Sequence, residues 1–340
     1  MQTYTIHPSL TVNIHTTRRR YQQYFANEYR RVANFDPRPD ATVIDVFIVK
    51  HLPEPTAGDR HTHLRFKKIF RYEYLVRGFG SPNVEIYFKD SFSGTLYAKT
   101  VTLFLQAQLV EPVMYHALLQ SGILFMHAAG VSDGKYGYLF PAYGGTGKTT
   151  LTLGLMGEGM AVLGDDLLLV EPATGTVYPY LRPLHIFTYN VTTLRGAVIP
   201  WSIRAKVRIK DLVRRLLETM TRQEFLISTR VHADAVYPDF RAGTAVPYRK
   251  IVFLTKSGAH QTQRINDHSV DALARQILDS EDLNDSLYAN ILDETEKAAA
   301  QELELRVITA LLETLDVFEL ANTRLLDFRD LGDFKRALQS

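Results

Sequence analysis

The chain has no cysteine among its 340 residues. That excludes a disulfide, a thiolate zinc site and a cysteine nucleophile, and it fits a reducing compartment. Excess charge is also scarce: 39 Lys and Arg against 37 Asp and Glu leave a formal +2. Such a balance gives no reason to expect a nucleic-acid partner. No apolar run approaches the roughly 18 residues of a membrane span, so no membrane is expected either. The opening, MQTYTIHPSL, lacks the basic segment leading into an apolar core that marks a secretory signal. A cytoplasmic protein is expected. No repeat and no low-complexity linker is visible. What remains is ordinary globular composition, 46% hydrophobic and 22% charged, in a length that suits one large or two ordinary domains.

Against that background one stretch stands out, FPAYGGTGKTTLT, from Phe140 to Thr152. It matches the phosphate-binding pattern G-x-x-x-x-G-K-[ST] except at the first glycine, where Ala142 stands. A triphosphate needs many closely spaced donors and some positive charge. Successive backbone N–H groups in a tight turn supply the donors, and a helix N-terminus adds partial positive charge. Gly144, Gly145 and Gly147 let the backbone turn and approach phosphate without a Cβ in the way. Lys148 would reach the β- and γ-phosphates, and the Thr149 hydroxyl would ligate Mg²⁺. The flanks agree: Tyr138-Leu139-Phe140 reads as a short buried strand, and Leu151, Leu153, Leu155 and Met156 suit a helix that Gly157 and Gly159 stop. The candidate nucleotide-binding residues are Gly144, Gly145, Thr146, Gly147, Lys148, Thr149 and Thr150, with ATP and Mg²⁺ as the expected ligands.

A phosphate loop needs a carboxylate across from it. The run AVLGDDLLLV, from Ala161 to Val170, carries two adjacent acids inside an apolar strand pattern. Buried carboxylates are costly without a partner, and a magnesium ion or an acceptor hydroxyl is such a partner. Adjacent strand residues point to opposite faces, which predicts different jobs for Asp165 and Asp166. A solvated turn between two short strands is the alternative.

The segment from Ala142 to Thr149, followed by Gly164-Asp165-Asp166, resembles the HPr kinase/phosphorylase and PEP-carboxykinase superfamily of phosphotransferases. The spacing contributes to the resemblance. Asp165 follows Lys148 by seventeen residues, and His127, in His127-Ala128-Ala129-Gly130-Val131, precedes it by twenty-one. The likeness covers roughly 124–187. It implies a kinase core with a mixed sheet flanked by helices. It also implies that Asp165 is the general base toward an acceptor hydroxyl, that Asp166 is the metal-side acid with Thr149, and that His127 lies beside the reacting phosphate. For His127 a buried core histidine is the alternative. No segment matches the family's proline- and arginine-rich loop, so the acceptor is open: a serine on a small protein or peptide, or a metabolite hydroxyl.

The remaining chain reads as an α/β protein in two parts. Residues 1–104 form a β-rich region of unknown role: Ala41–His51, His63–Arg77 and Val84–Lys89 look like strands, with a turn at 78–83. Residues 105–340 form the loop-bearing domain, with a helix over Leu105–Leu119 interrupted near Pro112, amphipathic spacing over Lys210–Met220, a strand at Arg249–Lys256 and a mostly helical tail. Arg18-Arg19-Arg20 and Arg30-Arg31 read as solvated faces. In-line transfer profits from a second cation on the γ-phosphoryl oxygens. Arg230, at the end of the strand-like run FLISTR, is the candidate, with Arg182 as its competitor and an ion pair at a strand end as the alternative. A neighbouring subunit is another source of such an arginine, which leaves a homo-oligomer open. The expected activity is ATP-dependent phosphotransfer. The alternatives are a nucleotide-binding regulatory protein and an ATPase without phosphotransfer.

Overall fold

The structure, a computed structural model, describes residues 1–32, 35–66, 70–91, 98–142, 146–186, 198–221, 229–256, 261–264, 269–280, 291–322 and 331–339. The N-terminal sheet contains β1 (Gln2–His7), β2 (Leu10–His15), β3 (Thr42–Val49), β4 (Arg60–Phe66), β5 (Phe70–Arg77) and β6 (Asn83–Lys89). Its order is β1-β2-β3-β6-β5-β4, parallel at β2–β3 and β3–β6 and antiparallel elsewhere. Helix α1 (Arg19–Glu28) makes the crossover that the parallel β2–β3 pair requires. Alternation sorts the side chains: Val12, Ile14, Ile44, Val46, Val84, Ile86 and Phe88 face the core, while Asp45, Phe47, Glu85, Tyr87 and Lys89 face outward. The inner face packs on α1 and on a helical run, with Tyr72 stacked on Phe104 at 3.8 Å.

That run comprises α2 (Ala98–Leu105), a π-helical turn (Gln106–Val110) and α3 (Glu111–Gln120). The interruption expected near Pro112 is instead this wider turn just before it, closed by Glu111 N–H donating to Gln106 C=O. Proline has no N–H and crowds the carbonyl four residues back, so a π turn relieves both problems without breaking the helix. The boundary expected between 104 and 105 therefore falls inside one continuous helical run.

The second sheet is also mixed. Its path among the described residues is β10-β8-β9-β15-β12-β11-β7, with β17 and β16 attached beside β15. The strands are β7 (Leu124–Met126), β8 (Ala128–Ser132), β9 (Gly137–Pro141), β10 (Ala161–Gly164), β11 (Leu168–Glu171), β12 (Thr176–Tyr178), β15 (Val246–Lys256), β16 (Gln261–Arg264) and β17 (Asp316–Asn322). β15 runs parallel to β9 and β17. A short pair, β13 (Leu184–Ile186) and β14 (Thr229–Val231), stands apart. On one side α4 (Lys148–Gly157) and α8 (Leu331–Gln339) cover the sheet, their Leu151, Leu155, Leu331 and Phe334 packing on Ala129, Val131 and Phe140. On the other lie α3, α6 (Val270–Ser280) and α7 (Glu294–Glu313), the last opened by a capping box between Asp293 and Glu296. Helix α5 (Trp201–Thr221) leaves Ile209, Leu212 and Leu216 exposed.

Several expectations shift. His63–Arg77 is not one strand but a hairpin of β4 and β5. The tail, expected to be mostly helical, also supplies one strand, β17, to the sheet. Of the strand expected over Phe225–His232, residues 222–228 lie outside the described set, and the described strand is Thr229–Val231.

The feature that positions the site is a break shared by two strands. Met126 pairs with Leu168 and Gly130 with Gly164, so 124–132 and 161–171 form one antiparallel pair in two halves. Between the halves the first strand turns at His127 to pair with β9, and the second bends at Asp165-Asp166. Gly130 and Gly164 make the crossing possible: a Cβ on Gly164 would meet the Leu167 carbonyl oxygen at 2.4 Å, and one on Gly130 the Leu168 side chain at 2.7 Å.

Candidate active site

β9 ends at Pro141 and the chain re-emerges from the glycine–lysine loop at Thr146; Gly144 and Gly145 lie outside the described residues. Gly147 is left-handed, with φ +99°, and caps the start of α4. Only glycine takes that conformation without cost. Leu151 N–H is the first to bond back into the helix, to Gly147 C=O at 2.9 Å, so the amides ahead of it point out of the helix end. Lys148, Thr149 and Thr150 form that first turn, with both threonines partly exposed and Lys148 buried. The Lys148 ammonium curls back and donates to Ala142 C=O, the residue standing where the pattern has its first glycine.

The broken strand pair brings the other groups to this loop. His127 Nε2 lies 3.1 Å from Asp166 Oδ1 and 3.3 Å from Lys148 Nζ. Its Nε2 therefore donates to the carboxylate in one tautomer and accepts from the ammonium in the other. Arg182, two residues before β13, donates Nη2 to Asp166 Oδ2 at 3.0 Å and Nη1 to Glu111 Oε1 at 2.7 Å. Asp166 is thus held from both sides by cations or donors, with half of its side chain still exposed.

The two acids sit in the bend rather than on a strand, so the opposite-face argument drawn from strand alternation does not apply to them. Their environments separate them instead. Burial raises the Asp165 carboxyl, the Asp166 charge raises it further, and Arg182 and Lys148 only partly offset this, leaving it pushed up to about 7. Burial acts the same way on Asp166, but the His127 hydrogen bond and the charges of Arg182 and Lys148 outweigh it and hold that carboxyl well below the usual range. One neighbour is a proton acceptor poised near neutrality, the other a fixed anion.

Behind Arg182 runs a buried polar chain. Glu111 Oε1 also accepts from Tyr180 OH and from Gln106 Nε2, each at 3.0 Å. Gln106 Nε2 donates on to Glu28 Oε1 at 3.2 Å, and Gln106 Oε1 accepts from Tyr24 OH at 2.6 Å. Arg230 closes the chain, donating Nη2 to Glu28 and Nη1 to Tyr24 OH at 2.9 Å. The structure therefore brings Lys148, His127, Asp165 and Asp166 together, and adds Arg182. It sets Arg230 against the N-terminal helix, in the ion pair that was its alternative, with Arg182 as the arginine on the acid pair. β13 and β14 lie side by side, with His185 opposite Arg230. Glu111, Gln106 and Glu28 escaped the sequence reading. For Gln106 and Glu111 the available signal was their place in the largely apolar run QAQLVEPVMYHALL.

No family model matches this chain, and no curated protein matches it.

Proposed function

We propose that the chain is an ATP-dependent phosphotransferase of the HPr-kinase-like kind, moving the γ-phosphoryl group to a hydroxyl acceptor. The observation that carries this reading is the divided acid pair beside Lys148, one carboxyl pushed up to about 7 and the other held anionic by His127 and Arg182. Enzymes that hydrolyse ATP commonly place the attacking water with a glutamate or glutamine, whereas an aspartate in this position suits taking the proton of a hydroxyl acceptor as its oxygen attacks. Asp165 suits that task because its affinity for a proton is matched to neutral pH. The acceptor O–H proton passes to the Asp165 carboxylate, the acceptor oxygen bonds to γ-phosphorus, and the bond to the β-phosphate oxygen breaks to leave ADP. Lys148 and Arg182 supply the positive charge on which such a transfer depends.

The donor set also fits a hard divalent cation. Asp166 presses on Asp165 by like charge, and a cation relieves that pressure. Asp166 and Thr149 would hold Mg²⁺, which when bound neutralises charge on the phosphate oxygens. Gly147 and the first turn of α4 would hold the phosphates through backbone N–H groups.

The test is an acceptor screen with γ-labelled ATP over serine-bearing peptides, small proteins and hydroxylated metabolites. Label is expected on one acceptor, abolished by Lys148→Ala. Label released only as inorganic phosphate across the screen, or parent-rate transfer by Lys148→Ala, would overturn the assignment.

A further inference from the structure

The outer face of the N-terminal sheet carries a second group of side chains that the proposed transfer does not use. Strand alternation puts His61 and His63 on the same side of β4, the edge strand. The β4–β5 register sets His63 directly opposite Glu73, so the two imidazoles flank one carboxylate. Glu73 Oε1 lies 3.4 Å from His61 Nε2 and 3.8 Å from His63 Nε2, and the two imidazole centroids are 4.5 Å apart. One ligand atom from each residue falls within 4.8 Å of the other two.

We propose that His61, His63 and Glu73 form a binding site for one divalent transition-metal ion of the zinc type. Zinc with bonds of about 2.0–2.1 Å sets neighbouring tetrahedral ligands roughly 3.3–3.4 Å apart. Both histidine–carboxylate separations already approach that, and all three ligand atoms lie within 4.8 Å of one another. Two imidazole nitrogens and one carboxylate select zinc, cobalt, nickel or copper over magnesium or calcium, which prefer all-oxygen sets.

The surroundings support the carboxylate as a ligand. Lys89 stands opposite Glu73 on β6 and donates to Oε2, which leaves Oε1 turned toward the histidines. That hydrogen bond also holds the Glu73 carboxyl below its usual range, keeping it ionised. An outer partner of this kind fixes the ligand's orientation. Three protein ligands leave one tetrahedral position, and since the His63 side chain is 67% exposed, that position faces solvent. A water, or a ligand group from a docking molecule, would complete it. The site shares no residue with the acid pair and the glycine–lysine loop, so it stands or falls independently of the transfer reading.

The experiment is a calorimetric titration of the chelator-stripped full chain with zinc chloride, without nucleotide. One zinc per chain is expected. His63→Ala and His61→Gln should each weaken binding at least tenfold, whereas His15→Ala, a histidine on the same face but paired with Asp45, should leave it unchanged. Both ligand substitutions are at exposed positions, and circular dichroism on each variant checks the fold. A parent chain that takes up no zinc, or ligand variants that bind like the parent, would overturn the proposal.

Discussion

Asp165 and Asp166 are adjacent in sequence and respond in opposite directions to the same surroundings. If Asp165 is the proton acceptor, kcat/KM for transfer should rise with pH through about 7 and then level off. Asp165→Asn should retain nucleotide binding, lose transfer and lose this pH dependence. Stability gives a second readout with its own sign. A carboxyl raised in the folded state binds protons more tightly than in the unfolded chain, so its favourable contribution is complete below about 4 and is lost as pH rises through about 7. Asp165→Asn removes that loss, and urea unfolding should find it more stable than the parent at pH 8 and close to it near pH 4. A variant less stable at pH 8 would remove the raised carboxyl from the account. The two arginines separate just as plainly. Arg182→Ala strips a cation from Asp166 and Glu111 together, so it should cut single-turnover transfer by at least about tenfold, some 1.4 kcal/mol. Arg230→Ala leaves Glu28 buried without its cation, which costs on the order of 3–5 kcal/mol of stability, while turnover of the folded fraction should hold. Glu28→Gln in that background should restore part of the loss, because burial already pushes the Glu28 carboxyl up.

At the scale of elements, the site depends on two strands that break at one level. Gly164→Ala tests this, since its Cβ would lie 2.4 Å from the Leu167 carbonyl oxygen, a backbone atom that cannot swing aside. The bend carrying both acids must then move. Transfer should fall by at least about a hundredfold, the scale on which a 1 Å misplacement acts, with a stability loss of about 1–3 kcal/mol. Parent-like transfer by Gly164→Ala would show that the bend tolerates displacement. The elements most legible in the sequence were those with local signals. Gly147 and Gly159 bound α4, and Gly78 and Gly80, both at positive φ, turn the chain into β6. Lys148 was marked by the phosphate-loop pattern, the acid pair by the apolar run that carries it, and His127 only by the family resemblance. Features set by pairing partners were not. Nothing local says that AVLGDDLLLV is two half-strands with different neighbours, since one apolar run suits either arrangement. Nor does a lone arginine reveal which carboxylate it meets, and so Arg230 and Arg182 could be ranked only by context. The π turn was half visible, because Pro112 marked the difficulty but not how the helix accommodates it.

The whole molecule is held across its two sheets by one continuous core. The largest buried cluster runs from Ile6 and Val12 through Leu105 and Leu124 to Leu312. At its margin His7 of β1 meets the second sheet. The ring is fully buried, edge-on to Tyr178 at 4.2 Å, with Nδ1 accepting from Ser9 N–H at 3.0 Å and Nε2 3.9 Å from Glu171. Arg38 holds Glu171 with two hydrogen bonds, at 2.9 and 3.2 Å, so this small cluster joins the N-terminal region to β11. Burial lowers the His7 imidazole to about 4; Glu171 opposes the shift and Arg38 adds to it. The folded chain therefore binds fewer protons at this position than the unfolded chain does, between about 6.5 and about 4. The stability His7 contributes is complete above about 6.5 and is lost as pH falls toward 4, which by linkage amounts to about 2 kcal/mol at pH 5. His7→Asn keeps an acceptor for Ser9 N–H and removes the titration. Its cavity lowers stability at every pH, but the further loss between pH 7 and pH 5 should be smaller than the parent's by that amount. The measurement is urea unfolding of both proteins at the two pH values. Equal losses would mean that the acid sensitivity of the joint lies with other groups, Glu171 and Arg38 first among them.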